Sequence, residues 1–299
     1  MLRQSEQRHP KASDLDLRDD AAIAALMLDA QRDALNAVAP ARPNIVKVAR
    51  AMAETLQAGG SVAYAGAGSS ALMALADALE LPGTFGIARA RVRIHMAGGL
   101  PGQQDGMRGA TEDDAEAARR DAGGLGAGDL AIVVAASGST PYALAFARTA
   151  SDSGATVAAL ANTADAPLFA LADHAILLAT PPEIVAGSTR LGAGTAQKIA
   201  LNMISTLAGI RLGHVHDGYM VNLVADNAKL RDRAARIVAA IADCSEPAAQ
   251  RALGDAEGHV KPAVLLALGA DTPARALTLL EDGGGNLRRA IETLTEKAG

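Results

Sequence analysis

Cysteine is almost missing from this chain of 299 residues, with Cys244 standing alone. A single thiol excludes an internal disulfide and fits a reducing compartment. Tryptophan is absent, and three Phe with three Tyr supply all the large aromatic rings, so recognition by stacking on bases or sugar faces has few agents. Lys and Arg form no block and the net charge is −5, which argues against a nucleic acid partner. No uninterrupted apolar run approaches the roughly 18 residues of a membrane span. The polar opening, MLRQSEQRHPKASDLDLRDD, has no apolar core of the kind a secretory signal carries. A cytoplasmic protein without a membrane partner is therefore expected. Small residues are plentiful instead: apolar residues make up 49% of the chain, many of them alanine, and there are 30 glycines. The length allows one large domain with an appendage, or two modest domains.

The most informative stretch is 61–86, SVAYAGAGSSALMALADALELPGTFG. Val62 to Ala65 read as a buried strand, Gly66 and Gly68 allow a tight turn, and Ser69 and Ser70 stand where a helix begins. Free backbone N–H groups, the positive end of a helix dipole and two hydroxyls make that geometry suited to phosphate. The same residues fit a loose dinucleotide fingerprint, which also requires an acid closing the second strand. Here the second strand, near 92–96, runs into Ala97-Gly98-Gly99 with no acid, so a nucleotide is disfavoured.

Along the rest of the chain, helical spacing appears over 20–39 and 45–58, with Pro40 and Pro43 breaking the first pattern and Gly59-Gly60 ending the second. A helix over 71–79 is expected to stop at Pro82-Gly83, with Glu80 near its end. Residues 98–109, rich in glycine, resemble an active-site loop in composition, and Glu112-Asp113-Asp114 read most simply as a charged helix start. The apolar run 129–135 is a central parallel strand by pattern. A second polar turn follows, Ser137-Gly138-Ser139-Thr140-Pro141, with Pro141 suited to a helix start. Further strands are expected over 156–160 and 175–178, then a long helix over 196–212. The alternation gives an α/β domain with a mainly parallel sheet, whose ligand lies beyond the carboxyl ends of its strands. His214 and His216 lack a third metal ligand in the pattern, so no metal is expected. From Cys244 onward the chain reads as short helices with Ser245 and Thr272 as caps.

GAGSS…DALELPGTFG, AASGSTPY and PEIVAGSTRLGAGTAQKIALNMISTLAGIRLG together resemble the N-acetylmuramic acid 6-phosphate etherases, a branch of the sugar isomerase (SIS) superfamily whose signature the glucokinase regulatory proteins share. The resemblance runs from the SEQRHP arm to the helical tail. It implies an α/β three-layer SIS sandwich with a mainly parallel sheet, N-terminal helices and a small ubiquitin-associated-like helical domain. The implied division is an arm with helices over 1–57, a sugar-phosphate-binding domain over 58–240 and a helical domain over 241–299.

The family cleaves the D-lactyl ether of N-acetylmuramic acid 6-phosphate to N-acetylglucosamine 6-phosphate and D-lactate, without metal or organic cofactor. The resemblance places the two catalytic glutamates at Glu80 and Glu112, with neither assigned as base or acid. It places substrate and phosphate binding at Gly68, Ser69, Ser70, Ser137, Gly138, Ser139, Thr140, Glu183, Ser188, Thr189, Arg190 and Lys198. Three positions basic in the family are here Leu72, Ser139 and Gly192, leaving hydroxyls and helix N-termini to hold the phosphate. The expected partners are a phosphorylated amino sugar and a second copy in a homodimer. A non-catalytic sugar-phosphate regulator and an aldose-ketose isomerase remain as alternatives.

Overall fold

The computed structural model describes residues 6–100, 109–225 and 227–296. Most of the expected loop over 98–109, residues 101–108, lies outside the described residues, as does Asp226. Two helices come first, α1 (Asp20–Asn36) and α2 (Arg42–Gln57). Asp19 caps α1 by accepting the Ala22 N–H at 2.9 Å. Helix α2 starts earlier than its spacing predicts because Pro43 lies in its first turn, where a missing N–H costs no bond. There follow β1 (Val62–Gly66), α3 (Gly68–Phe85), β2 (Val92–Met96), α4 (Ala115–Ala122), β3 (Leu130–Val134), α5 (Pro141–Asp152), β4 (Thr156–Ala161), β5 (His174–Leu177) and α6 (Gly192–Arg211). A short hairpin, β6 (Val215–His216) with β7 (Tyr219–Met220), leads to α7 (Ala228–Ala242), α8 (Glu246–Asp255), α9 (Val260–Ala267), α10 (Pro273–Asp282) and α11 (Leu287–Glu296).

The five long strands form one sheet in the order β2-β1-β3-β4-β5, parallel throughout. The fold is α/β, as expected. The chain divides into two compact units, Met1–Ala78 with Ala90–Leu207, and Leu79–Arg89 with Ala208–Gly299.

In the first unit, alternate strand residues build two buried layers. Ala63, Ala65, Ala131, Val133, Val157 and Ala159 pack with Phe146 and Tyr142 of α5 and with Ala118 and Ala122 of α4. Alanine on the strands lets these helices lie close, and the large rings come from α5. Truncating fully buried Phe146 to Ala would cost about 3–5 kcal/mol. Tyr64 belongs to the alternate set of strand residues. Its hydroxyl donates to Asp77 of α3 at 3.0 Å, and Asp77 also accepts from Asn202 (2.7 Å) and Ser205 (2.9 Å) of α6. A buried carboxylate satisfied by three donors fixes α3 against β1 and α6. Burial, followed by the neighbouring Asp77 charge, pushes the Tyr64 hydroxyl well above its ordinary pKa.

Helix α3 does not stop at Pro82. It runs through the proline to Phe85 and ends where Gly86 takes φ 62°. An interior proline removes one helical bond, and burial offsets the loss, since Leu81 and Phe85 are both buried.

The second unit has its own core, with Ile237 and Val238 of α7, Val260, Val264 and Leu265 of α9, Leu279 and Leu280 of α10, and Leu287 of α11. Thr272 caps α10 by accepting the Arg275 N–H at 3.1 Å, whereas Ser245 precedes α8 without a side-chain capping bond. Lys261 is buried and donates to the Gly285 carbonyl at 2.8 Å; burial lowers its pKa to about 8. His214 is lowered to about 4, by burial first and then by the Lys261 charge.

Candidate functional site

The direction of the chain changes between β1 and β3. From β1 it moves outward to β2, then returns to the other side of β1 to form β3. At such a switch point the two following turns diverge and leave a crevice at the carboxyl ends of the strands. Both serine turns open there. Gly66 and Val134 are register partners at the ends of β1 and β3, so each strand delivers its polar turn at the same level.

The resulting cleft has a volume of about 430 Å³. Gly68, Ser69 and Ser70 line it from the first turn of α3, Ser137 and Thr140 from the start of α5, and Thr189 from the loop before α6. First-turn amides have no partner within their own helix, and two helix N-termini with converging hydroxyls make a site for an anion. Thr140 occupies the N-cap position of α5, yet its side chain makes no capping bond, which leaves the hydroxyl to a ligand.

Glu112 brings an acid to this crevice. It lies in the short 3-10 turn Gly109–Asp113 and lines the cleft. Gly68 makes this approach possible: its φ is 55°, and a Cβ there would stand 2.7 Å from Glu112 Oε1. Burial, and next the charge of Asp113, push the Glu112 carboxyl above its ordinary pKa. The acidic run therefore divides its tasks. Asp114 accepts the Ala117 N–H at 2.8 Å and caps α4, as a charged helix start predicts, whereas Glu112 turns to the cleft.

The remaining expected residues fall into several places. Gly138 lies in the bend of the second turn, its carbonyl accepting the Leu168 N–H at 3.0 Å. Ser139 is not among the lining residues; its hydroxyl donates to Ser137 Oγ at 3.0 Å. Glu183 is buried and accepts the Gly192 and Ala193 N–H groups, each at 2.8 Å. It holds the start of α6 and borders a smaller recess with Asn162, Thr180 and Thr189. Ser188 is half-buried in the loop beside Thr189, while Arg190 and Lys198 are exposed, and none of the three lines the cleft. Glu80 is exposed in the second half of α3, outside the lining set.

Among the described residues, then, the charged side chains lining the cleft are Glu6 and Glu112, with no Lys or Arg. Glu6 and Thr111 were not read from the sequence as site residues. Glu6 lies within the SEQRHP stretch that carries part of the family resemblance, which is the signal that could have found it. His214 and His216 belong to no group of three or more His, Cys, Asp or Glu side chains able to hold a metal ion among the described residues. No helix among the described residues is long and apolar enough to cross a membrane.

Known proteins match this sequence. A family model described as the SIS domain matches residues 28–162. An N-acetylmuramic acid 6-phosphate etherase of Deinococcus radiodurans is 44% identical over 295 residues, covering 97% of this chain and 95% of that protein. The etherase of Streptomyces avermitilis is 40% identical, covering 96% of this chain and 93% of its own. That of Geobacillus thermodenitrificans is 39% identical, covering 96% and 98%. A parallel sheet ending in two serine turns, an acid set against the first of them and relatives matched along almost their entire length lead to one conclusion: the chain belongs to the N-acetylmuramic acid 6-phosphate etherase family.

Proposed function

We propose that this protein cleaves the D-lactyl ether of N-acetylmuramic acid 6-phosphate, releasing D-lactate and N-acetylglucosamine 6-phosphate. One observation carries the reading: a carboxyl with a raised pKa, Glu112, is set against a cradle of helix N-termini and hydroxyls. In the open-chain sugar the aldehyde acidifies the C2 proton. A carboxylate removes that proton, the C3–O bond breaks and lactate leaves as an acid protonates its oxygen. Water then adds across the C2–C3 double bond. Proton transfers and water balance every step, so no redox cofactor is required. Raising a carboxyl's pKa makes its ionised form a stronger proton acceptor, and its protonated form can return the proton to a departing oxygen.

The second carboxyl of the pair is Glu80, and we infer that a homodimer supplies it. Glu80 is not among the residues that line the cleft. It is exposed beside Leu79, a large apolar side chain left 62% in solvent. The enzyme in this reading is cytoplasmic, where a phosphorylated amino sugar is retained.

Incubation with N-acetylmuramic acid 6-phosphate and assay of D-lactate tests the proposal, with stoichiometric lactate expected. A second reading, a regulator that binds sugar phosphate without turnover, is favoured by the lack of Lys and Arg among the described lining residues. Tight binding of N-acetylglucosamine 6-phosphate with no lactate from the etherase substrate would select it.

A further inference from the structure

The N-terminal arm brings a second carboxylate to the cleft. It is folded rather than trailing. His9 is buried, its Nδ1 accepts the Lys11 N–H at 3.1 Å, and the Ala12 N–H returns to the His9 carbonyl at 3.0 Å. The Arg18 guanidinium then closes the turn on the carbonyls of Lys11 (2.9 Å) and Ser13 (2.8 Å). Three residues before His9, Glu6 reaches the edge of the cleft beside Gly187. A Cβ at position 187 would stand 3.3 Å from Glu6 Oε2, and its φ of 76° is one that glycine adopts readily. The same loop contributes Thr189 to the lining, with its N–H bonded to the Gly187 carbonyl at 3.0 Å. Carboxylate and hydroxyl are thus presented together.

We propose that Glu6 is a specificity-determining residue that contacts the sugar, its carboxylate accepting hydrogen bonds from hydroxyl or acetamido N–H donors of the substrate. This rests on the etherase reading above. The argument is one of donors and acceptors. Ser69, Ser70, Ser137, Thr140 and Thr189 can all donate to phosphate oxygens, but an amino sugar also carries donors of its own. An ionised carboxylate is acceptor-only. Of the two that line the cleft, Glu112 lies against the phosphate turn and is assigned to proton transfer, which leaves Glu6 for the neutral donors. Its carboxylate has no hydrogen-bond or ion-pair partner among the described residues.

The test compares wild type with Glu6→Gln in calorimetric titrations against N-acetylglucosamine 6-phosphate and against inorganic phosphate, with thermal unfolding as a control. The variant is expected to bind the sugar phosphate about tenfold or more weakly, the loss of one charged hydrogen bond, and inorganic phosphate equally well. With N-acetylmuramic acid 6-phosphate the same variant should raise KM far more than it lowers kcat. Equal affinity of the two proteins for the sugar phosphate overturns the proposal. So does a parallel loss for both ligands, which would make Glu6 a prop for the arm. A wild type that binds the sugar phosphate but releases no lactate defeats the etherase reading alone, because the titrations still decide the role of Glu6. A wild type that binds no sugar phosphate defeats both.

Discussion

Glu112 and Glu80 occupy unlike surroundings. Glu112 is half-buried on a 3-10 turn, its Oε1 against Gly68, its pKa raised by burial and by Asp113. Glu80 is exposed on the helix that begins at the same glycine, next to exposed Leu79. The contrast sets a carboxyl tuned by its own fold against one left in solvent, and the proposed homodimer is what would bring the second to the first. The fold alone raises the Glu112 pKa. Among the described residues, nothing in the same chain covers Glu80.

The largest effect expected is at the shaped site. Glu112→Gln should lower D-lactate release by about 10²–10⁴-fold, the usual weight of a general acid or base, while N-acetylglucosamine 6-phosphate still binds. Comparable loss of binding would make Glu112 a ligand for substrate instead. The next experiment addresses the contrast directly. Glu80→Gln and Glu112→Gln proteins, each inactive alone, should recover about a quarter of wild-type activity when refolded together, because half of randomly formed dimers then hold one intact site of two. If both acids served one chain, the mixture would stay inactive, and the contrast would lose its meaning. Leu79→Asp is expected to weaken self-association about 10- to 100-fold, as the loss of one buried leucine implies, with activity following the dimer in sedimentation runs. The smallest effect concerns the tuning of Glu112. Asp113 is a negative neighbour that raises the Glu112 pKa, so Asp113→Asn should move the Glu112 limb of the pH–rate profile downward by a few tenths of a unit. An upward shift would contradict the assigned cause.

Much of this site could be read from residue order because its parts are local. An apolar run, two glycines and two serines dictate strand, turn and helix within a dozen residues, and the 137–141 turn repeats the logic. The family resemblance then separated Glu112 from Asp114, a distinction composition alone could not make: both are acids at a helix start, and only the fold shows Asp114 capping α4. Other features were hidden for physical reasons. Glu183 is read as a ligand because it is an acid in a signature segment, whereas its carboxylate is occupied by amides nine and ten positions later. Pro82 reads as a stop, yet tertiary burial of Leu81 and Phe85 carries the helix past it. Glu6 lies in a polar arm with no periodicity, so nothing local announces that it reaches the cleft.

The second unit bears on how the polypeptide is made. Its first strip is the end of α3, and that strip finds its partners very late: Asn222 donates to the Phe85 carbonyl at 2.9 Å across 137 positions, and the Val224 N–H bonds to the Gly83 carbonyl at 3.3 Å. During synthesis at about 5–20 residues per second, the end of α3 must wait roughly 7–27 seconds for them. Phe85 is left uncovered for that interval. A nascent chain of this protein thus keeps an apolar strip around residues 79–89 waiting for partners well after the sheet's first strand has emerged, and a pause before residue 208 would prolong the exposure.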